Sequence, residues 1–227
     1  MAVDPCTEYG LALALEDFVP VVLAGAGAIV LATAAGRRVP ELRVPALVGG
    51  LLITAGGVGK ATWKVLVASE PCRNVELLEQ LLFPCLAFGF ALLAWAVVGA
   101  RRGSTAPWLP FAAVPVLGSF AGLAVGAIWP LLVVAAVGAI TMAVVAARWA
   151  WDLGDRRTTA LFALYVVGTL VLPPLAARPE QSQTLQWVEQ LTNTAVQLCF
   201  LLGALALRGR ATPSTTPSHP ESAGALS

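Results

Sequence analysis

The sequence predicts an all-α integral membrane protein with seven transmembrane helices. Three observations predict this class. Of the 227 residues, 58% are hydrophobic and only 12% are charged, whereas soluble domains carry about 25% charged residues. Several apolar segments reach the roughly 20 residues that cross a bilayer. Basic residues concentrate in alternate connections between these segments. The net charge of +1 provides no basic surface that would favour nucleic-acid binding. The expected partner is the lipid bilayer.

Seven apolar segments follow one another along the chain. They are 9–36, 44–68, 76–100, 107–127, 129–147, 158–177 and 185–207. Prolines mark the connections, since proline interrupts helices: Pro40 lies in the first connection, and Pro107 and Pro130 begin the fourth and fifth segments. Residues 1–210 are therefore predicted to form one membrane domain. The Pro-, Ser- and Thr-rich residues 211–227 are expected to form a disordered cytoplasmic tail.

The distribution of Lys and Arg predicts the orientation. Ten of the fourteen basic residues lie in one set of connections, and the opposite set holds only Arg73 and Arg178. Cytoplasmic connections of membrane proteins are enriched in Lys and Arg. The sequence therefore predicts an outside N-terminus and a cytoplasmic C-terminus, with the plasma membrane as the expected location.

An offset of 110 residues relates the two ends of the domain. Glu-Gln dipeptides occur at 79–80 and 189–190. The same offset pairs Pro20 with Pro130, Arg38 with Arg148, Leu81 with Leu191, Phe90 with Phe200, and Gly99 with Gly209. This pattern indicates an internal duplication of 9–100 by 129–207, joined by a linker helix at 107–127. Since one helix joins the units, they form a parallel repeat. Chance alignment of two Ala-, Val- and Leu-rich stretches is the alternative.

This 3+1+3 plan resembles the topology of SWEET-type sugar transporters and nicotinamide riboside transporters. The resemblance implies a transport function with a site between the repeats. The Pro-Gln dipeptide of PQ-loop relatives is absent. The seventh segment also lacks the lysine that binds retinal in microbial rhodopsins. The sequence therefore assigns the chain to no family.

Charged residues form a belt near the outer boundary of the bilayer. At a rise of about 1.5 Å per residue, each of these charged residues lies about 30 Å along its helix from the arginine at the cytoplasmic end. This distance is about the thickness of the hydrocarbon core. The belt comprises Glu16, Asp17, Lys64, Glu79, Arg178 and Glu189, with Lys60 one turn deeper. These side chains either snorkel to interfacial water or line an outward vestibule. In the vestibule, Lys64 would pair with Glu79, and Glu189 would lie opposite.

A polar stripe in the seventh segment extends this belt. Gln190, Asn193, Thr194 and Gln197 share one helix face, which must contact protein or water because lipid cannot satisfy it. The stripe serves either interhelical hydrogen bonding or a passage. The candidate pathway residues are Glu16, Asp17, Lys60, Lys64, Glu79, Gln80, Glu189, Gln190 and Asn193. Glycines of the second segment, such as Gly49 and Gly56, predict close helix packing.

Two cysteines are predicted to form a disulfide. Cys6 and Cys72 both fall on the outer side, where oxidation is favoured. Cys85 and Cys199 lie inside apolar segments and are expected to fill space.

Recognisable enzyme chemistry is missing from the sequence. The one histidine, His219, lies in the tail, so no metal or cofactor is expected in the membrane. No nucleophile elbow, phosphate loop or CxxC pair occurs. The leading interpretation is a transporter or permease for a small polar or charged solute or a proton. The alternatives are a non-catalytic scaffold or accessory subunit, and a lipid-modifying enzyme that uses Glu79 and Glu189. The oligomeric state stays open.

Overall fold

The structure is a computed structural model that describes residue 6, residues 10–176 and residues 182–210. Within these ranges the regular structure is helical. The helices are α1 Leu11–Glu16, α2 Phe18–Arg38, α3 Arg43–Ala68, α4 Glu76–Gln80, α5 Leu82–Arg102, α6 Leu109–Val125, α7 Trp129–Asp152, α8 Arg156–Ala176 and α9 Gln183–Arg210, with a 3-10 turn at Pro40–Leu42. The predicted tail and Arg178 lie outside the described residues.

Six helical stretches are long and apolar enough to cross a membrane. They are Leu11–Arg38, Pro40–Ala68, Glu76–Arg102, Trp129–Asp152, Arg156–Pro174 and Gln183–Arg210. The helix α6 is apolar but has 17 residues. Large apolar side chains cover the outward surface, including Leu51, Phe120 and Leu164. Because soluble proteins rarely expose such continuous apolar surface, the chain is an integral, multi-pass membrane protein.

The six long helices form a closed ring. In order around the ring, α2 contacts α3, α3 contacts α5, α5 contacts α7, α7 contacts α8, α8 contacts α9, and α9 returns to α2. The helix α6 packs against α5 and α7 on the outside of this ring. The ring therefore has an interior to which α6 does not contribute.

Neighbours α2 and α9 run in the same direction. Asp17, just before α2, contacts Gln190 of α9. Ten residues further along each helix, the ring of Phe200 packs on Gly27, where a Cβ would lie 2.7 Å from it. Only glycine at position 27 leaves room for the Phe200 ring, so the contact depends on Gly27 having no side chain.

Neighbours α5 and α7 are also parallel. A Cβ on Gly138 of α7 would lie 3.0 Å from the Cβ of Phe90 of α5. Further along both helices, Arg101 Nε lies 2.8 Å from Asp152 Oδ2. The two contacts follow the same order along both helices, so the corresponding ends of α5 and α7 lie side by side.

Glycines bring α3 close to its neighbours. A Cβ on Gly49 would lie 2.7 Å from the carbonyl oxygen of Gly89 in α5, and one on Gly56 would lie 2.7 Å from the Cβ of Cys85. These positions have the packing role that the sequence predicted, because small residues let helix backbones approach closely.

The two ends of the bundle differ in charge and packing. One end, called the arginine end, carries Arg37, Arg38, Arg43, Arg101, Arg102, Arg148, Arg156, Arg157, Arg208 and Arg210. The half of the ring next to it is filled by buried side chains, chiefly Leu31, Leu93, Met142, Phe162, Phe200 and Leu207. The opposite end holds Cys6 and Cys72 and is called the disulfide end.

At the arginine end, Asp155 caps α8. Its Oδ1 accepts a hydrogen bond from the Thr158 backbone N–H at 3.1 Å, and its Oδ2 accepts one from the Thr158 hydroxyl at 2.8 Å. Arg210 approaches Oδ2 at 3.6 Å. The hydrogen bond from the Thr158 backbone is the main reason that the pKa of Asp155 is held below its usual value of 3.8.

Replacing Asp155 with alanine is expected to lower the free energy of unfolding by about 1 kcal/mol, because the cap is lost. The lowered pKa means that ionised Asp155 stabilises the fold fully above pH 3.8 and loses this effect as the pH falls through the folded-state pKa. The melting temperatures of the parent protein and Asp155→Ala should therefore differ by a constant amount from pH 7 down to pH 3.8, and the difference should shrink below pH 3.8. Asp155→Asn, which retains a capping oxygen, is the matched control and should cost less than the alanine variant.

Candidate functional site

A cavity of about 630 Å³ lies inside the ring, in the half next to the disulfide end. All six ring helices contribute side chains to it. It ends where Ile53, Phe90, Ala139 and Tyr165 meet the filled half of the bundle. Pockets of about 300–1,000 Å³ are typical of small-molecule sites. The ring thus surrounds an open pocket large enough for a small solute.

One wall of the cavity is polar. Helices α3 and α9, and the residue before α2, supply it with Asp17, Lys60, Lys64, Glu189, Gln190, Asn193 and Gln197. Gln197 Nε2 donates a hydrogen bond to Asn193 Oδ1 at 3.2 Å. The polar stripe of α9 therefore faces the interior of the protein.

The opposite wall is apolar. Helices α5 and α7 supply it with Leu82, Leu86, Phe90, Leu132, Ala135, Ala136 and Ala139. Helix α8 contributes Tyr165, Thr169, Leu172 and Pro173 between the two walls. The cavity is therefore amphipathic, and a solute that fills it would meet charges on one side and hydrocarbon on the other.

Asp17 is the centre of the polar wall. This buried residue lies at the break between α1 and α2. Lys64 Nζ lies 2.7 Å from its Oδ2, and Gln190 Nε2 donates a hydrogen bond to its Oδ1. One carboxylate thus joins α2, α3 and α9, and both of its oxygens have a partner, as a buried charge requires.

Two further carboxylates lie beside this centre. Glu189 lines the cavity and is close enough to interact electrostatically with Lys64 and Asp17. Glu16 Oε1 accepts a hydrogen bond from the Thr194 hydroxyl at 2.7 Å. Its Oε2 is buried and has no hydrogen-bond partner within the described part of the chain. Negative charge is therefore concentrated between α2 and α9.

Lys60 forms a second ion pair near the rim. Its Nζ lies 2.8 Å from Glu79 Oε1 and 4.5 Å from the centroid of the Trp63 ring. The Trp63 indole N–H donates to Asn74 Oδ1 at 2.8 Å. The lysine thus lies between a carboxylate and an aromatic face, which both favour a cation.

The structure therefore differs from the expected vestibule in its pairing. Lys60, one turn deeper, forms the ion pair with Glu79, and Lys64 reaches across to Asp17. Glu79 is not among the cavity-lining residues, and Gln80 is exposed. Glu79 and Gln80 belong to the short helix α4, which ends at Gln80 before the start of α5 at Leu82, so they are not part of the long helix that lines the cavity. The two Glu-Gln dipeptides therefore have different surroundings.

Sequence reasoning missed the apolar wall, Tyr165 and Thr169. The apolar residues could not be assigned to the cavity, because alanine and leucine occur both at positions that face a cavity and at positions that face lipid. Asp17 was identified only as a member of the charged belt. Its central position depends on the break between α1 and α2. Pro20 is the signal for that break, because it cannot donate a hydrogen bond to the carbonyl of Glu16, where α1 ends.

Cys6 and Cys72 lie at disulfide distance, with Cα atoms 5.9 Å apart. The predicted pairing is confirmed. The bridge ties the segment before α1 to the connection after α3. Cys85 and Cys199 are half-buried free thiols within α5 and α9.

Within the described ranges, no group of three or more His, Cys, Asp or Glu side chains is arranged to hold a metal ion. Comparison of the chain with known protein families, curated proteins and solved structures finds no match. The site itself therefore carries the functional argument.

Proposed function

We propose that the protein is a transporter that binds a small solute in the cavity of the helix ring. The observation that carries the proposal is a ligand-sized space, within membrane-crossing helices, that contains the ion pair of Asp17 and Lys64. Ionisable groups inside membrane bundles are costly and generally mark solute or ion pathways. The cavity lies in one half of the bundle and the other half is filled, as expected of a transporter open to one side.

The parallel direction of α5 and α7 supports seven crossings. Because these helices run the same way, the chain must return over the length of the bundle between Arg102 and Trp129. Helix α6 lies in this return. Its 17 residues extend about 26 Å, close to the roughly 30 Å of a bilayer core.

The contacts between the two halves support the parallel repeat. Phe90 and Phe200, which are 110 residues apart, each pack on a glycine of the other half, Gly138 and Gly27. These glycines are 111 residues apart. The ring order is also symmetric, because α2, α3 and α5 follow one another as α7, α8 and α9 do. Equivalent seams of this kind are typical of duplicated transporters.

In the proposed mechanism the two three-helix units rock against each other. The solute enters from the disulfide end, which is the outer side if arginines mark the cytoplasm. Release requires the filled half, around Phe162 and Phe200, to separate along the seams that α5 forms with α7 and α9 forms with α2. At both seams a phenylalanine packs on a glycine, Phe200 on Gly27 and Phe90 on Gly138, so each ring can slide over a position without a side chain.

Cysteine labelling tests the orientation. Ser104 is exposed at the arginine end and Ser182 is exposed at the disulfide end. In intact cells, a membrane-impermeant maleimide should label Ser182→Cys, whereas Ser104→Cys should react only after permeabilisation. The parent protein, whose free cysteines are half-buried, is the background control. The reverse labelling pattern would show that the assigned orientation is wrong.

Filling the cavity tests the site. Ala136 lines the cavity, and its neighbour Val137 is 52% exposed on the outward surface. Solutes that stabilise the purified protein against heat should be identified first, since binding to the folded state raises apparent stability. Ala136→Trp should abolish both their stabilising effect and their uptake into proteoliposomes, and Val137→Trp should abolish neither. Stabilisation without uptake would favour a receptor or accessory subunit.

Within the part of the chain that the structure describes, no contact favours the lipid-modifying enzyme. Such an enzyme would bring Glu79 and Glu189 to one substrate, whereas Glu189 lines the cavity and Glu79 is held at the rim by Lys60.

A further inference from the structure

We propose that the solute is an amphipathic organic cation, such as a primary amine with a hydrocarbon body. This inference rests on the proposed function and assigns a chemical class to its site. It depends on two features of the cavity, the distribution of charge on the polar wall and the apolar wall opposite.

The two lysines of the cavity are already neutralised. Lys60 holds Glu79 at 2.8 Å, and Lys64 holds Asp17 at 2.7 Å. An anionic solute would have to compete with these carboxylates for the same ammonium groups. Displacing Asp17 from Lys64 would leave a poorly solvated charge without compensation, which is strongly unfavourable. The polar wall is therefore badly suited to an anion.

Among the described residues of the polar wall and the belt behind it, the carboxylates Asp17, Glu189 and Glu16 outnumber the lysine, Lys64, that lies beside them. Glu189 lines the cavity near Lys64, whose ammonium group already forms an ion pair with Asp17. Glu16 adds a further carboxylate behind the wall, with one oxygen buried and without a partner in the described part of the chain. A cation beside Glu189 would balance this charge. Gln190 and Asn193 could accept further N–H bonds from it.

The opposite wall selects the body of the solute. Leu86, Phe90, Leu132 and Ala136 offer hydrocarbon with no hydrogen-bonding group. A sugar or other polyhydroxylated solute would leave its hydroxyls unsatisfied against this surface, at a cost for each. A cation whose charge lies on Glu189 and whose hydrocarbon body faces α5 and α7 satisfies both walls at once.

Matched compounds test the inference. Butyl, hexyl and 3-phenylpropyl skeletons are each presented as ammonium, carboxamide and carboxylate to the purified full chain in nanodiscs of neutral lipid at pH 7. Direct binding and melting temperature are measured. For at least one skeleton, the ammonium form should bind about tenfold or more tightly than the amide, as a charge-assisted hydrogen bond predicts. The carboxylate should bind most weakly.

Variants locate the effect. Glu189→Gln should weaken binding of the ammonium form about tenfold and leave amide binding unchanged. Glu76→Gln removes an exposed carboxylate at the same end and is the matched control, expected to change neither. Ala136→Trp should abolish specific binding, which separates the cavity from partition into lipid.

The outcomes distinguish the two proposals. If amides or carboxylates bind as tightly as amines and Ala136→Trp abolishes their binding, the cavity binds solutes but the assigned charge class is wrong. Unchanged ammonium affinity in Glu189→Gln would also overturn the cation assignment. If Ala136→Trp leaves all binding and all solute stabilisation unchanged, the proposed transport site itself falls.

Discussion

Replacing Lys64 with methionine is expected to lower the free energy of unfolding by about 3–5 kcal/mol. The substitution keeps the length of the side chain and removes its charge, so Asp17 loses its cation in a place that water reaches poorly. The side chains of this pair are only 15% and 12% exposed. Breaking a buried pair from one side leaves an uncompensated charge, which accounts for a cost of about this size.

The second ion pair supplies the comparison. Lys60 and Glu79 are 22% and 35% exposed, so solvent screens them, and Lys60→Met should cost about 0–1 kcal/mol. Adding Asp17→Asn to Lys64→Met should restore part of the lost stability, because the orphaned charge is then removed. Denaturation in a mild detergent measures all four proteins. Equal, small costs for the two lysines would mean that Lys64 snorkels to interfacial water, as the simpler sequence interpretation held.

Replacing Phe200 with alanine is expected to cost about 3 kcal/mol or more, since it opens a void at the seam of α2 and α9. The ring of Phe200 is almost fully buried. It packs on Gly27, and its centroid lies 4.9 Å from that of Tyr165. A void left by an aromatic side chain forfeits all of these contacts at once.

Phe120→Ala is the matched control, because Phe120 is 66% exposed on α6, outside the ring. It should change the melting temperature little. Phe90→Ala should cost less than Phe200→Ala, since Phe90 already borders the cavity. If Phe200→Ala and Phe120→Ala are equally tolerated, the seam between α2 and α9 is not a packed contact of the bundle.

The membrane class and most helix boundaries could be predicted from the sequence. Long apolar runs and arginines between them have few other physical explanations. The disulfide was also predictable, because Cys6 and Cys72 fall on the same side of the membrane once the helices are counted. The location of Asp17, Lys64 and Glu189 toward the end opposite the arginines could also be predicted, since helix rise is constant and each lies about 30 Å along its helix from an arginine.

The partners of these side chains could not be predicted. Pairing depends on the rotation of each helix about its axis and on the order of helices around the ring. Prolines mark the ends of both short helices, because Pro20 follows Glu16 by four residues and Pro84 follows Gln80 by four. Neither proline fixes the rotation of the helix that follows it. The apolar wall is hidden for a related reason, because Leu86 would be equally favourable against lipid or against a cavity.

The position of α6 has a consequence for the genetic organisation of the protein. Since α6 packs outside the ring, the backbone that joins the two halves contributes no side chain to the cavity wall. A chain divided in the connection before α6 would still supply every ring contact from two separate polypeptides. The cavity is thus a property of two associated three-helix bodies, and a single gene encoding both fixes their ratio at one to one.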